Sequence, residues 1–149
     1  MAALIIPGEA EAVGRFVREL TWGVSGESPD VSVASAGTYS LINVNEANVL
    51  VEKIESQVVI AHTATAVITI GDSSDVDGYW TDTLYELGTS AAVFNSPATT
   101  VGYAAGRLYT SSQSIDVVIT GTMAAGKSKL RVTYSRGVDT SIGPATSSA

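Results

Sequence analysis

Two short stretches late in the chain constrain the fold more than any other feature. In residues 114–120, Ile115, Val117 and Ile119 fall on one side of an extended backbone, and Asp116, Val118 and Thr120 on the other. In residues 129–135, Leu130, Val132 and Tyr134 oppose Arg131, Thr133 and Ser135. Side chains change face at every residue only in a strand, so this period of two predicts half-buried antiparallel strands. Ala66, Ile68 and Ile70 against Val67 and Thr69 predict another strand, as do 31–33 and 38–44. Residues 49–61 read as a longer strand with Leu50, Ile54, Val58 and Ile60 on one face. Glu52 and Ser56 interrupt that face, which marks a bulge or bend. Asn45-Glu46-Ala47-Asn48 reads as a turn.

Several short strands separated by Gly- and Ser-rich turns, without repeating helices, predict an antiparallel β-sandwich or jelly roll over residues 31–136. Its expected core contains Ile68, Ile70, Ile115, Val117, Ile119, Leu130 and Val132. Ahead of it, Val13, Phe16, Val17 and Leu20 recur at helical spacing, so residues 1–30 predict a short helix or arm followed by a loop. Gly14 weakens the helix by roughly 1 kcal/mol relative to Ala. An apolar stripe of Phe16, Val17, Leu20 and Trp22 is satisfied in one of two ways. It packs on the sandwich, or it docks on a neighbouring subunit or other partner. Residues 137–149 are small and polar, either a loose tail or a segment ordered by a neighbour.

Composition narrows the function. A length of 149 residues suits one domain. The net charge of −7, with eight Lys and Arg scattered among fifteen acids, argues against nucleic-acid binding, which needs clustered cations. The chain has no cysteine, hence no disulfide framework and no thiolate metal site. The opening residues lack the basic stretch of a signal peptide, and no apolar run approaches membrane-spanning length, so a soluble protein is expected.

Three motifs bear on chemistry. Gly121-Thr-Met-Ala-Ala-Gly126-Lys127-Ser128 satisfies the phosphate-loop pattern. That chemistry requires a helix after the loop, and the continuation alternates like a strand, so a glycine-bearing hairpin is expected instead. In the loop 71–79, Asp72, Asp75 and Asp77 are the candidate metal ligands, because Asp75, Asp77 and Gly78 preserve part of a calcium-binding pattern, with Ser73 at its first ligand position. The position of its closing bidentate acid holds Leu84, and an Asx-rich turn facing water is the competing reading. Asp82 and Glu86 add acids from which a glycosidase pair can in principle be drawn, at a separation no sequence shows. His62 is the single histidine, with no motif pairing it to an activated serine, and a structural role is expected. Tyr79, Trp80, Tyr85, Phe94 and Tyr103 are read as plugs at the end of the core or as interface anchors.

The order of these segments is familiar. An alternating strand enters Ile70-Gly71-Asp72-Ser-Ser-Asp75-Val-Asp77-Gly78-Tyr79. Gly102-Tyr103-Ala-Ala-Gly106-Arg-Leu-Tyr109 through Ile115-Asp116-Val117 follows, then a glycine turn and Leu130-Arg-Val-Thr-Tyr134. Over about residues 48–136 this resembles a widespread group of small β-sandwich virion proteins of tailed phages, encoded beside capsid genes. Its members are head-decoration (cement) proteins or related head and tail-surface proteins. The resemblance implies a non-enzymatic protein without cofactor that binds the major capsid protein on the outer surface of the shell. Assembly in the host cytoplasm is implied as well. A homo-oligomer is expected, a trimer ahead of a dimer because an icosahedral shell offers threefold positions. The other reading is a carbohydrate-binding adsorption module, calcium-assisted, suggested by the acidic loop beside Tyr79 and Trp80.

Overall fold

A computed structural model of the chain describes residues 3–6, 14–44, 49–63, 66–81, 94–96 and 101–136. The expected turn at 45–48, residues Val13, Asp82, Leu84, Tyr85 and Glu86, and the tail 137–149 lie outside these residues. The described chain is mainly β. Its strands are β1 (Leu4–Ile6), β2 (Gly14–Val24), β3 (Val31–Val33), β4 (Gly37–Val44), β5 (Val49–Ile60), β6 (Val67–Gly71), β7 (Arg107–Tyr109), β8 (Gln113–Thr120) and β9 (Lys127–Arg136). They form a four-stranded sheet ordered β1-β4-β8-β6 and a five-stranded sheet ordered β3-β2-β9-β5-β7. The inward faces of both sheets supply one apolar core, in which Ile68, Ile70, Ile115, Val117, Ile119, Leu130 and Val132 are all buried.

Three expectations are corrected. Residues from Gly14 onward are not helical: β2 is an eleven-residue strand. It pairs with β9 from Gly14↔Arg136 to Gly23↔Lys127, and this long antiparallel ladder overrides the weak local helical spacing. The sheets are also mixed rather than purely antiparallel, because β1 runs parallel to β4 and β2 parallel to β3. Parallel neighbours ordinarily need a long crossover. Here a 3-10 turn at Ser25–Glu27 doubles the chain back. A reciprocal clamp holds it, with Thr21 N–H donating to Asp30 Oδ2 (2.9 Å) and Asp30 N–H donating to Thr21 Oγ1 (2.8 Å). Finally, β8 and β9 do not form a hairpin. They lie in different sheets, and the glycine loop between them crosses from one sheet to the other.

The bulge in β5 sits between Val51 and Lys53, with a second irregularity between Val58 and Ile60. The extra residue, Glu52, shifts the alternation by one, so Val49 and Val51 face inward before it and Ile54, Ser56 and Val58 after it. Leu50, expected inward, is turned out by this shift, and Ile60 by the second irregularity, so both are only half-buried.

Candidate functional site

The acidic loop after β6 is wired into the protein through its first acid, while Ser73, Ser74 and Val76 face solvent. Asp72 is buried, and its carboxylate accepts four hydrogen bonds and forms one ion pair. Oδ1 accepts from the backbone N–H of Ser74 (2.9 Å) and Asp75 (3.1 Å) and from the Tyr103 hydroxyl (2.9 Å). Oδ2 accepts from the Tyr109 hydroxyl (2.9 Å) and forms an ion pair with Arg107 Nε at 2.9 Å. Since Tyr109 donates to Asp72, Tyr79 donates to Tyr109 across 2.9 Å. Arg107 also lies over the rings of Tyr103 and Tyr109, 4.8 and 5.4 Å from their centroids. Burial pushes the Tyr103 hydroxyl up to about 12 and those of Tyr79 and Tyr109 higher still, so all three remain proton donors to this cluster.

A carboxylate offers about four lone-pair directions, and those of Asp72 are occupied. Of the calcium-pattern residues, Asp75 and Asp77 remain at the loop's outer side. The Asp75 carboxyl is held above its ordinary value first by a hydrogen bond with Asp77. Among the described residues no group of three or more His, Cys, Asp or Glu stands close enough to hold a metal ion. The loop is tightly fitted: a Cβ on Gly78 would strike the Tyr103 ring, and one on Gly102 would strike the Asp75 carboxylate.

The aromatic residues mostly plug the core. Tyr79 and Trp80 are buried, and Trp80 Nε1–H donates to the Ile54 carbonyl at 2.8 Å. Neither ring forms a platform on which a sugar can stack. Tyr103 is partly buried against Tyr79, while Phe94 lies 3.9 Å under the Arg131 guanidinium.

A second cluster joins residues that the sequence held apart. His62 follows β5, and its Nε2 lies 2.6 Å from Ser128 Oγ, at the start of β9. Its ring stacks on Trp22 at 4.8 Å between centroids. Gly126, at φ +130°, passes so close that a Cβ there would overlap the imidazole. Thr63 ties the same corner, donating its N–H to the Ala125 carbonyl and accepting from the Ala124 and Ala125 amides. Ser128 is fully buried, so this Ser–His contact has no route for a substrate. The serine of the phosphate-loop pattern is thus a core residue, and the segment after it is a strand.

Burial lowers the His62 pKa from 6.5 to about 4. The unfolded chain then takes up this proton first, so the contribution is fully present above pH 6.5 and is lost as pH falls towards 4. The limit is about 3 kcal/mol. Carboxylates titrate at the acid end as well, so the comparison is with His62→Gln. Between pH 7 and 5 the parent's melting temperature is expected to fall more than the variant's. Parallel curves would refute this.

The expected partner-binding residues are divided. Leu20 and Trp22 are buried in the chain's own core. Phe16 is partly buried and stacks on Tyr134 at 5.5 Å, and Val17, on the opposite face of β2, is 52% exposed. Sequence reasoning did not join Arg107 and Tyr109 to Asp72 or Ser128 to His62, because these contacts link positions distant in the chain.

No protein-family model matches the chain, and no curated protein matches it. Among solved structures, a chain of the cyanophage Pam1 capsid asymmetric unit superposes with a TM-score of 0.56 at 17% identity. The match covers 91% of this chain and 94% of that one. Chains of the acid-stable capsid of Helicobacter pylori bacteriophage KHP30 and of the Ralstonia phage GP4 capsid match with TM-scores of 0.49 and 0.40. Their identities are 17% and 16%, with 81% and 93% of this chain covered, and 86% and 92% of theirs. At such identity the first likeness is one of fold.

Proposed function

We propose that the chain is a non-enzymatic structural protein of a tailed-phage virion, a decoration protein that binds the outer surface of the major capsid shell and stabilises it as a homo-oligomer. The observation that carries this reading is the whole-chain likeness to a chain of the cyanophage Pam1 capsid, which spans nearly all of both molecules. The chemistry of the interior agrees. Among the described residues, Asp72, His62 and Ser128, groups with catalytic potential, are buried and bonded to one another or to neighbouring groups. They hold loops in place. Attachment at many equivalent positions lets individually weak contacts add up.

The test is the composition of purified virions of the phage that encodes the chain. The protein is expected in a stoichiometry comparable with that of the major shell protein, and particles made without it should lose heat resistance. Absence from the particle would overturn the virion reading. Presence in only a few copies per particle would overturn the decoration role.

A further inference from the structure

The two outer faces differ sharply in charge. All eight Lys and Arg residues lie in β2, β5, β7 and β9, strands of the five-stranded sheet. Its outer surface carries cross-strand ion pairs, including Arg15–Glu52 at 2.8 Å and Glu19–Arg131 at 3.5 Å, with Glu55 on the other side of Arg131 at 3.9 Å. The four-stranded sheet has no cation at all. Register places Ile5, Thr38, Ser40, Asn43, Val67, Thr69, Ser114, Asp116, Val118 and Thr120 on its outer face, and Asp116 is the one acidic residue among them. Even that carboxylate is engaged within the face, accepting from Ser40 Oγ (3.2 Å) and Ser114 Oγ (2.5 Å).

Sheet faces left to water ordinarily carry long charged side chains, whereas the centres of protein interfaces are depleted of them. We propose that the outer face of the four-stranded sheet is where a second copy of this chain docks, face to face about a twofold axis. Charge selects that occupant. Copies carrying −7 each repel one another, and they approach at least cost where each presents almost no charge. The face is also complementary to itself. Ser and Thr hydroxyls both donate and accept, so the same patch serves both sides of an isologous contact. A partner of opposite charge would find its matching groups on the other sheet.

The size of the face sets the strength. At ~4.8 Å between strands and ~3.3 Å per residue, four short strands present roughly 400 Å². Two copies then bury about 800 Å² in total, well below the area of a standard stable interface. Pairing is therefore weak between free molecules and gains strength where many copies are held side by side.

The experiment is sedimentation of the purified chain over micromolar to millimolar concentration. The parent should move from monomer to dimer across that range. Val118→Lys, at the middle of the face, should weaken pairing at least about tenfold. Val17→Lys, on the exposed face of the other sheet, should pair like the parent. Melting curves check that each variant folds, and Ser40→Lys, at an exposed position of the same face, replaces Val118→Lys if the latter does not. A parent that stays monomeric throughout, or pairing abolished by Val17→Lys and untouched by Val118→Lys, would overturn the proposal. The readout needs no virion, so it fails or succeeds separately from the capsid reading.

Discussion

Asp72→Ala is expected to lower the melting temperature by about 6–12 °C, near 3 kcal/mol at a few degrees per kcal/mol for a chain of this size. The carboxylate is wholly buried and receives two backbone amides, two tyrosine hydroxyls and Arg107. Removing one member of a buried pair costs about 3–5 kcal/mol, mostly because the partners are left behind unsatisfied. The Arg107 side chain is 29% exposed and can turn towards water, which places the loss at the lower end of that range. Two companions separate the causes. Asp72→Asn keeps an oxygen for the Ser74 and Asp75 amides, so it should cost less than alanine if the loop's hydrogen bonds dominate. Asp72→Ala combined with Arg107→Leu should cost less than the sum of the single changes, because the orphaned cation is gone. A melting temperature unchanged by Asp72→Ala would remove the cluster from any account of stability.

The same residues show where sequence reading stops. Asp72 is legible as an acid at a turn, but its partners Tyr103 and Tyr109 stand 31 and 37 positions away. No local pattern announces them. Strand periodicity was readable wherever one face met the core without interruption, as in β6, β8 and the inward row Leu130, Val132 and Tyr134 of β9. Pairing was not readable, for a topological reason. From β3 to β9 every connection changes sheet, so no hairpin signal links a strand to its partner. Each ladder outside β2–β3 joins strands distant in sequence, an arrangement that closes long loops before its contacts form and folds slowly.

β2 failed for a more particular reason. Phe16, Leu20 and Trp22 share its inner face with Arg18, and the one polar member breaks the period of two. What remains, with Val17 on the opposite face, mimics helical spacing. In β5 the single residue added at Glu52 exchanged inside for outside upstream of the bulge. Both errors came from one residue out of pattern within a long strand, which a local window cannot distinguish from a change of period.

Removal of residues 1–22 is expected to leave no cooperatively folded monomer. An attachment arm can be cut away while the domain stays intact, but this segment contains β1 and most of β2. Its loss strips the ladder from β9, a ten-residue strand, and turns that strand into an exposed edge prone to pair with other chains. It also takes away the strand against which β3 is registered. Leu20 and Trp22 leave the core with it. Trp22→Ala alone should cost about 3–5 kcal/mol, since the indole is fully buried and lies against His62. Total stabilities of single domains are about 5–15 kcal/mol, so the whole strand exceeds what the remainder can lose. The truncated chain should therefore be insoluble or lack a melting transition, while Trp22→Ala still folds with a melting point lowered by about 6–20 °C. Val17→Asp, exposed on the outer face, should stay within a few degrees of the parent. A truncated protein that melts sharply near the full-length temperature would show that β2 is dispensable to the core, and the apolar residues of the segment would then have to find their partner outside this chain.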